Sequence, residues 1–171
     1  MSIKYSNNIS SQKMKDVCFS YKDISISRNK ESNQKIGILM HKILNKILEL
    51  KDTKIYDIYF TEDELKYKNQ IEDIIEPIWK KSNIIQKALK NNNIYLEHKI
   101  HYEKSYIQID LLIFEDQKIY IVDFKLRYNR DQKDKYENQL NLYQKALEHY
   151  FNQKIYKYII CFSSYQDILL N

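Results

Sequence analysis

The sequence predicts an α/β domain: N-terminal helices packed on a sheet that combines a three-stranded antiparallel meander with one strand reached through a helix. Three observations predict it. Apolar residues recur every three or four positions over much of 34–90, and the period then drops to two over 94–126. A helical stretch near 133–150 is followed by an apolar run at 155–162. Strand, helix, strand in that order implies a right-handed crossover.

Residues 1–33 are rich in Ser, Asn and Lys, with short apolar patches such as Val17, Cys18 and Phe19, and read as a lead-in to a domain at 34–171. From Gln34 a helix is expected. Ile36, Leu39, Met40, Ile43, Leu44, Ile47 and Leu48 fall on one face, and Lys42, Lys46 and Glu49 on the other. A second helical pattern runs between about Glu62 and Lys90, and Pro77 is expected to break it or to open a new segment, because proline cannot donate inside a helix. Three strands follow at Ile94–Tyr102, Tyr106–Phe114 and Ile119–Leu126, joined by short polar links. The helix from about Lys133 to Tyr150 turns Leu140, Tyr143, Ala146, Leu147 and Tyr150 inward, and Ile155–Phe162 reads as a buried strand.

Strand register carries the functional information. A hairpin across Glu115–Lys118 puts Phe114 opposite Ile119, whether its loop has two residues or four. Asp110 then stands opposite Asp123. Facing carboxylates with Cβ atoms roughly 5 Å apart repel unless a cation lies between them, and a divalent metal is the natural candidate. Alternation puts Lys125 on the face of Asp123, within reach of a phosphate bound there. A structural Lys125–Asp123 ion pair is the plain alternative. A two-residue turn at Lys104 and Ser105 would set Lys99 opposite Asp110 and leave Glu97 diagonal to it, whereas a three-residue turn would reverse Glu97.

His41 lies at the edge of the first helix's apolar stripe, one turn after Gly37, the only glycine in the chain. A mid-helix glycine costs roughly 1 kcal/mol against alanine, which suggests a close approach at that point. Gln139 and Tyr143 share a helix face and could bridge site and substrate. His98 and His101 read as strand-surface residues.

These residues, in this order, resemble the RecB-like branch of the PD-(D/E)XK nuclease superfamily, the nuclease domains of bacterial helicase–nucleases. The family's G-x-x-x-H matches Gly37 to His41, its strand glutamate Glu97, and its metal-binding aspartate Asp110. Its D-[YF]-K matches Asp123, Phe124 and Lys125, and its Q-x-x-x-Y matches Gln139 and Tyr143. Two positions depart from the pattern: no glycine shortly precedes Asp110, and Leu126 stands where a small hydroxyl residue is common. The resemblance implies a restriction-endonuclease-like core and metal-dependent hydrolysis of DNA phosphodiester bonds. It implies Mg²⁺ or Mn²⁺ held by Asp110, Asp123, His41 and the Phe124 carbonyl. Catalysis would fall to Lys125, Asp123, Asp110 and Glu97, and Gln139 and Tyr143 would meet the substrate or support Lys125. DNA, as single strands or duplex ends, is the implied partner, along with a helicase domain or subunit in DNA-end processing and recombinational repair. Rival readings are a cap-snatching-type RNA endonuclease and a catalytically silent DNA-binding or scaffold domain.

Composition narrows the field less. Cys18 and Cys161 are too few to ligate an iron–sulfur cluster, so none is expected. No apolar run approaches the roughly 20 residues a membrane span needs, and no secretory signal is visible, so a cytoplasmic location and no membrane partner are expected. The net charge of +5 suits a polyanion but is common elsewhere, and the sixteen tyrosines read as compositional bias rather than function.

Overall fold

The computed structural model describes residues 30–52 and 60–170, with four α-helices and one five-stranded mixed sheet among them. The expectations for residues 1–29, including Val17, Cys18 and Phe19, lie outside the described residues. None of the helices described is long and apolar enough to cross a membrane.

Helix α1 spans Lys30–Leu50, and all seven residues of its expected apolar stripe are buried. It begins four residues before Gln34, inside the stretch read as a lead-in. Lys30–Asn33 holds no proline or glycine to stop a helix, and its polar residues give no periodic signal. A short 3-10 turn at Leu65–Tyr67 leads into α2, Lys68–Lys81, and Pro77 lies inside that helix rather than at its break. The missing N–H and ring clash of a proline cost about 3 kcal/mol. Burial of Ile71, Ile75, Ile78 and Trp79, at roughly 1.5–3 kcal/mol each, outweighs it. The break comes at Ser82, whose extended backbone ends α2 and whose Oγ accepts from the Ile85 N–H at 3.0 Å, capping α3, Asn83–Lys90.

The strands run in sequence order across the sheet: β1 Ile94–Tyr102, β2 Ser105–Glu115, β3 Lys118–Lys125, β4 Lys154–Cys161 and β5 Gln166–Leu170. The first three form the expected antiparallel meander. β3 and β4 pair in parallel, with α4, Lys133–Glu148, as the connection between them. β5 pairs antiparallel with β4 and was not foreseen. Its five residues start with Gln166 and Asp167 and are too few for a clear period. Tyr150, expected to point inward, is 53% exposed because α4 ends two residues before it.

Two cores flank the sheet. α1, α2 and α3 pack with Leu111, Ile113, Val122, Phe124, Ile160 and Phe162 on one face. On the other, α4 covers Ile107, Ile109, Leu112, Ile119, Ile121 and Ile159. β2 breaks its own alternation here: Ile107 and Ile109 join the α4 core, whereas Leu111 and Ile113 join the α1 core. In β1, Leu96 and Ile100 divide in the same way. Both strands change face at the level of Glu97 and Asp110, where Glu97 has a left-handed backbone with φ 46°.

Because Ser82 is buried and supplies the α3 cap, Ser82→Ala should lower stability by about 1 kcal/mol. Urea unfolding should show this as a lower midpoint with an unchanged slope.

Candidate active site

The decisive local event is a parting of strands. β2 and β3 pair from Glu115↔Lys118 up to Leu111↔Val122 and no further. Beyond that, β2 pairs only with β1, and β3 continues beside β4 as far as Lys125. The same register carried one step on sets Asp110 opposite Asp123, so both aspartates stand at the crotch of the fork. The expected hairpin register, with Phe114 opposite Ile119, is present, and the pairing ends one step short of the two aspartates.

On the β3 side of the fork, both backbone groups of Phe124 find side chains. The Phe124 N–H, which has no β2 strand partner at this level, donates to Asp110 Oδ2 at 2.7 Å. The Phe124 carbonyl lies 3.3 Å from His41 Nε2, and with the proton on that nitrogen His41 donates to it. His41 Nδ1 then presents a lone pair toward Asp110 Oδ1, 3.9 Å away. The imidazole packs edge-on against Phe124 and Phe162, with ring centroids 5.3 and 6.2 Å apart. Gly37 is itself buried, in keeping with a crowded helix face before His41.

From the other layer, Gln139 Nε2 donates to Asp123 Oδ1 at 3.2 Å and to the Tyr143 hydroxyl at 2.7 Å. Both residues are buried, so α4 supports Asp123 from behind. The remaining Asp123 oxygen, Oδ2, takes the Lys125 ammonium at 2.8 Å. The structural ion pair is therefore present, and the Lys125 ammonium also stands 5.7 Å from the centre of the Tyr136 ring.

The register of the β1–β2 hairpin differs from the expected one. Its turn is Glu103–Lys104, with Tyr102 opposite Ser105, and Glu103 takes the left-handed conformation the tight turn requires. Lys99 consequently faces Gln108, not Asp110. Glu97 comes into line with Asp110, between the Leu96–Leu111 and His98–Ile109 pairs, rather than diagonal to it. It is exposed, and its Oε1 accepts from Asn45 Nδ2 at 2.8 Å.

Electrostatics follow from burial and crowding. Burial pushes His41 down to about 4, against the pull of Asp123, so the imidazole is neutral at neutral pH. Burial, and then the Asp123 charge, hold Asp110 well above the usual carboxylate range, and the Phe124 N–H only partly offsets this. Burial alone would lower Lys125, but the Asp123 charge and hydrogen bond, with Asp110, carry it above its ordinary value. One ammonium thus pairs with Asp123 and reaches Asp110 only through its charge.

That imbalance suits a hard divalent cation. Two carboxylates and a backbone carbonyl are the oxygen donors such an ion takes, a neutral imidazole beside them suits Mn²⁺ better than Mg²⁺, and the ion would relieve the repulsion that raises Asp110. Among the described residues, no three His, Cys, Asp or Glu side chains are drawn together as a finished cage. The carboxylates are instead turned onto Lys125, Gln139 and the Phe124 N–H.

His41, Asp110, Asp123, Phe124 and Lys125 meet at the fork, with Gln139 and Tyr143 behind them and Glu97 at the open rim. Asn45 and Tyr136 were missed. Asn45 had a signal, since Gly37, His41 and Asn45 follow one another at steps of four along the border of the apolar stripe. Tyr136, three residues before Gln139, reads as an ordinary core aromatic. No protein-family model matches the chain, and no curated protein matches it either.

Breaking a buried ion pair from one side leaves a stranded charge and costs about 3–5 kcal/mol. Lys125→Met should therefore destabilise the chain by that order, and adding Asp123→Asn should restore most of the loss. Chemical denaturation of the single and double variants checks this; equal stability of Lys125→Met and the wild type would mean that the pair is not a buried unit.

Proposed function

We propose that the chain is a metal-dependent nuclease that hydrolyses phosphodiester bonds in DNA, built on the RecB-like form of the PD-(D/E)XK core. The observation that carries this reading is the meeting of Asp110, Asp123, Lys125 and His41 at the β2–β3 fork. Its layout supports the same reading: helix, antiparallel meander, crossover helix and parallel strand, in that order. So does the match of every residue at the fork to the motifs of that family.

Asp110, Asp123, His41 and the Phe124 carbonyl would hold Mg²⁺ or Mn²⁺. When bound, such an ion lowers the pKa of coordinated water and offsets charge on the phosphoryl oxygens. The chain's own groups do the positioning. Lys125 is held protonated, so it stabilises negative charge on the attacked phosphate rather than accepting a proton. Gln139 fixes one oxygen of Asp123, and Tyr143 fixes Gln139, which sets the direction of the carboxylate. Their burial favours this supporting role over direct contact with a DNA backbone. Glu97, at the exposed rim, meets the water and substrate entering the site. Single-stranded or duplex DNA ends are the proposed substrate, delivered by a helicase domain or subunit.

Purified protein tests this with labelled linear DNA. The wild type should cleave in Mn²⁺ or Mg²⁺ and be silenced by chelation, and Asp123→Ala and Lys125→Ala should each lose about 10²-fold or more. Equal cleavage by all three proteins would mean contamination and end the enzyme reading. Because a histidine is among the ligands, Mn²⁺ should support at least as much activity as Mg²⁺. Activity in Mn²⁺ far below that in Mg²⁺ would remove His41 from the ligand set.

A further inference from the structure

Asn45 stands one helical turn after His41, on the border of the α1 apolar stripe. Its Nδ2 donates to Glu97 Oε1 at 2.8 Å, across to the edge strand of the sheet. Its Oδ1 is buried without a hydrogen-bond partner. The amide cannot profitably turn round, because its oxygen would then face the Glu97 carboxylate. Asparagine is also a weaker helix former than alanine, and a buried orphan acceptor adds a further cost. For folding alone, alanine at 45 would serve better.

What Asn45 gains for that cost is control of Glu97. Glu97 is exposed, sits on a left-handed backbone and carries a long side chain that water would leave in many rotamers. A hydrogen bond to an ionised acceptor selects one of them. Asn45 and Glu97 also line one end of a cavity of about 540 Å³ whose other walls, Leu48, Glu49, Lys51 and Asn92 among them, belong to the end of α1, the start of β1 and the chain before it, and not to the fork. Glu97 stands in line with Asp110 across the β1–β2 pair, and its negative charge reaches both His41 and Asp110, though less strongly than burial or the Asp123 charge does.

We propose that Asn45 is a positioning residue that holds the Glu97 carboxylate at the open side of the fork, where Glu97 orients the entering water or substrate group. The inference rests on the nuclease reading. Asn45 touches neither substrate nor metal and works only through Glu97.

The test compares the full chain with Asn45→Ala, Asn45→Asp, Glu97→Ala and the Asn45→Ala/Glu97→Ala pair. Each is measured for kcat and KM on labelled DNA, for Mn²⁺ binding by calorimetry, and for Tm. Asn45→Ala should lower kcat about tenfold, the worth of one charge-assisted hydrogen bond, with KM little changed. Its Tm should be equal to or higher than that of the wild type, since an orphan acceptor is removed. Asn45→Asp keeps the shape but sets a carboxylate against Glu97, and should lose more activity. In the Glu97→Ala background, Asn45→Ala should add nothing. A lowered Tm with unchanged kcat, or losses that multiply in the double variant, would overturn the inference. A wild type that cleaves DNA alongside an indistinguishable Asn45→Ala would overturn it while leaving the nuclease reading standing. A wild type that neither cleaves DNA nor binds Mn²⁺ would remove both.

Discussion

The hydrogen bond from the Phe124 N–H to the Asp110 carboxylate lets β2 and β3 part. A buried backbone donor that lost its strand partner would cost about 1–3 kcal/mol, and a fork inside a sheet creates such donors. Here a side chain takes the vacant place, and His41 does the same for the Phe124 carbonyl. The fork is therefore satisfied rather than frayed. Without it, Asp123 would lie under α4 among Ile119 and Ile121, and His41 would lie under the opposite face with Phe162. The gap lets the chemistry of both layers meet.

Charge sets the second condition. Two carboxylates and one ammonium share a volume from which water is largely excluded, and desolvation makes every imbalance costly. Lys125 satisfies Asp123, leaving Asp110 biased toward its neutral form. The group holds its shape through these internal bonds, with its charge left unbalanced at Asp110. Gln139 and Tyr143 hold Asp123 in place from the α4 side.

Much of this was legible in the sequence because it depends on period and register. Seven residues of α1 predicted their own burial, and a two-residue or four-residue loop gave the same Asp110–Asp123 alignment, so that inference survived ignorance of the turn. The β1–β2 hairpin had no such protection. Moving its turn by one residue displaced Lys99 from Asp110 and brought Glu97 into line. Nor could alternation foresee that both strands change face at Glu97, because a left-handed φ at a glutamate has no local sequence marker. Pro77 misled for a related reason: the cost of a proline is local, while the burial that outweighs it is tertiary. Asn45 went unseen because a polar residue on a helix border usually faces water, and only the fold brings Glu97 to meet it.

The left-handed residue in β1 has a consequence of another kind. Among the described residues β1 is an edge strand, and apart from its His101 carbonyl, which accepts from the Tyr150 hydroxyl, its outer side could template the addition of a further extended chain. At Glu97 the regular row of edge donors and acceptors is interrupted, and a charged side chain stands at the interruption. An incoming strand could match the edge on one side of that point or the other, but not along its full length. The irregularity that brings a carboxylate to the fork thereby also limits how long a strand could pair with the β1 edge.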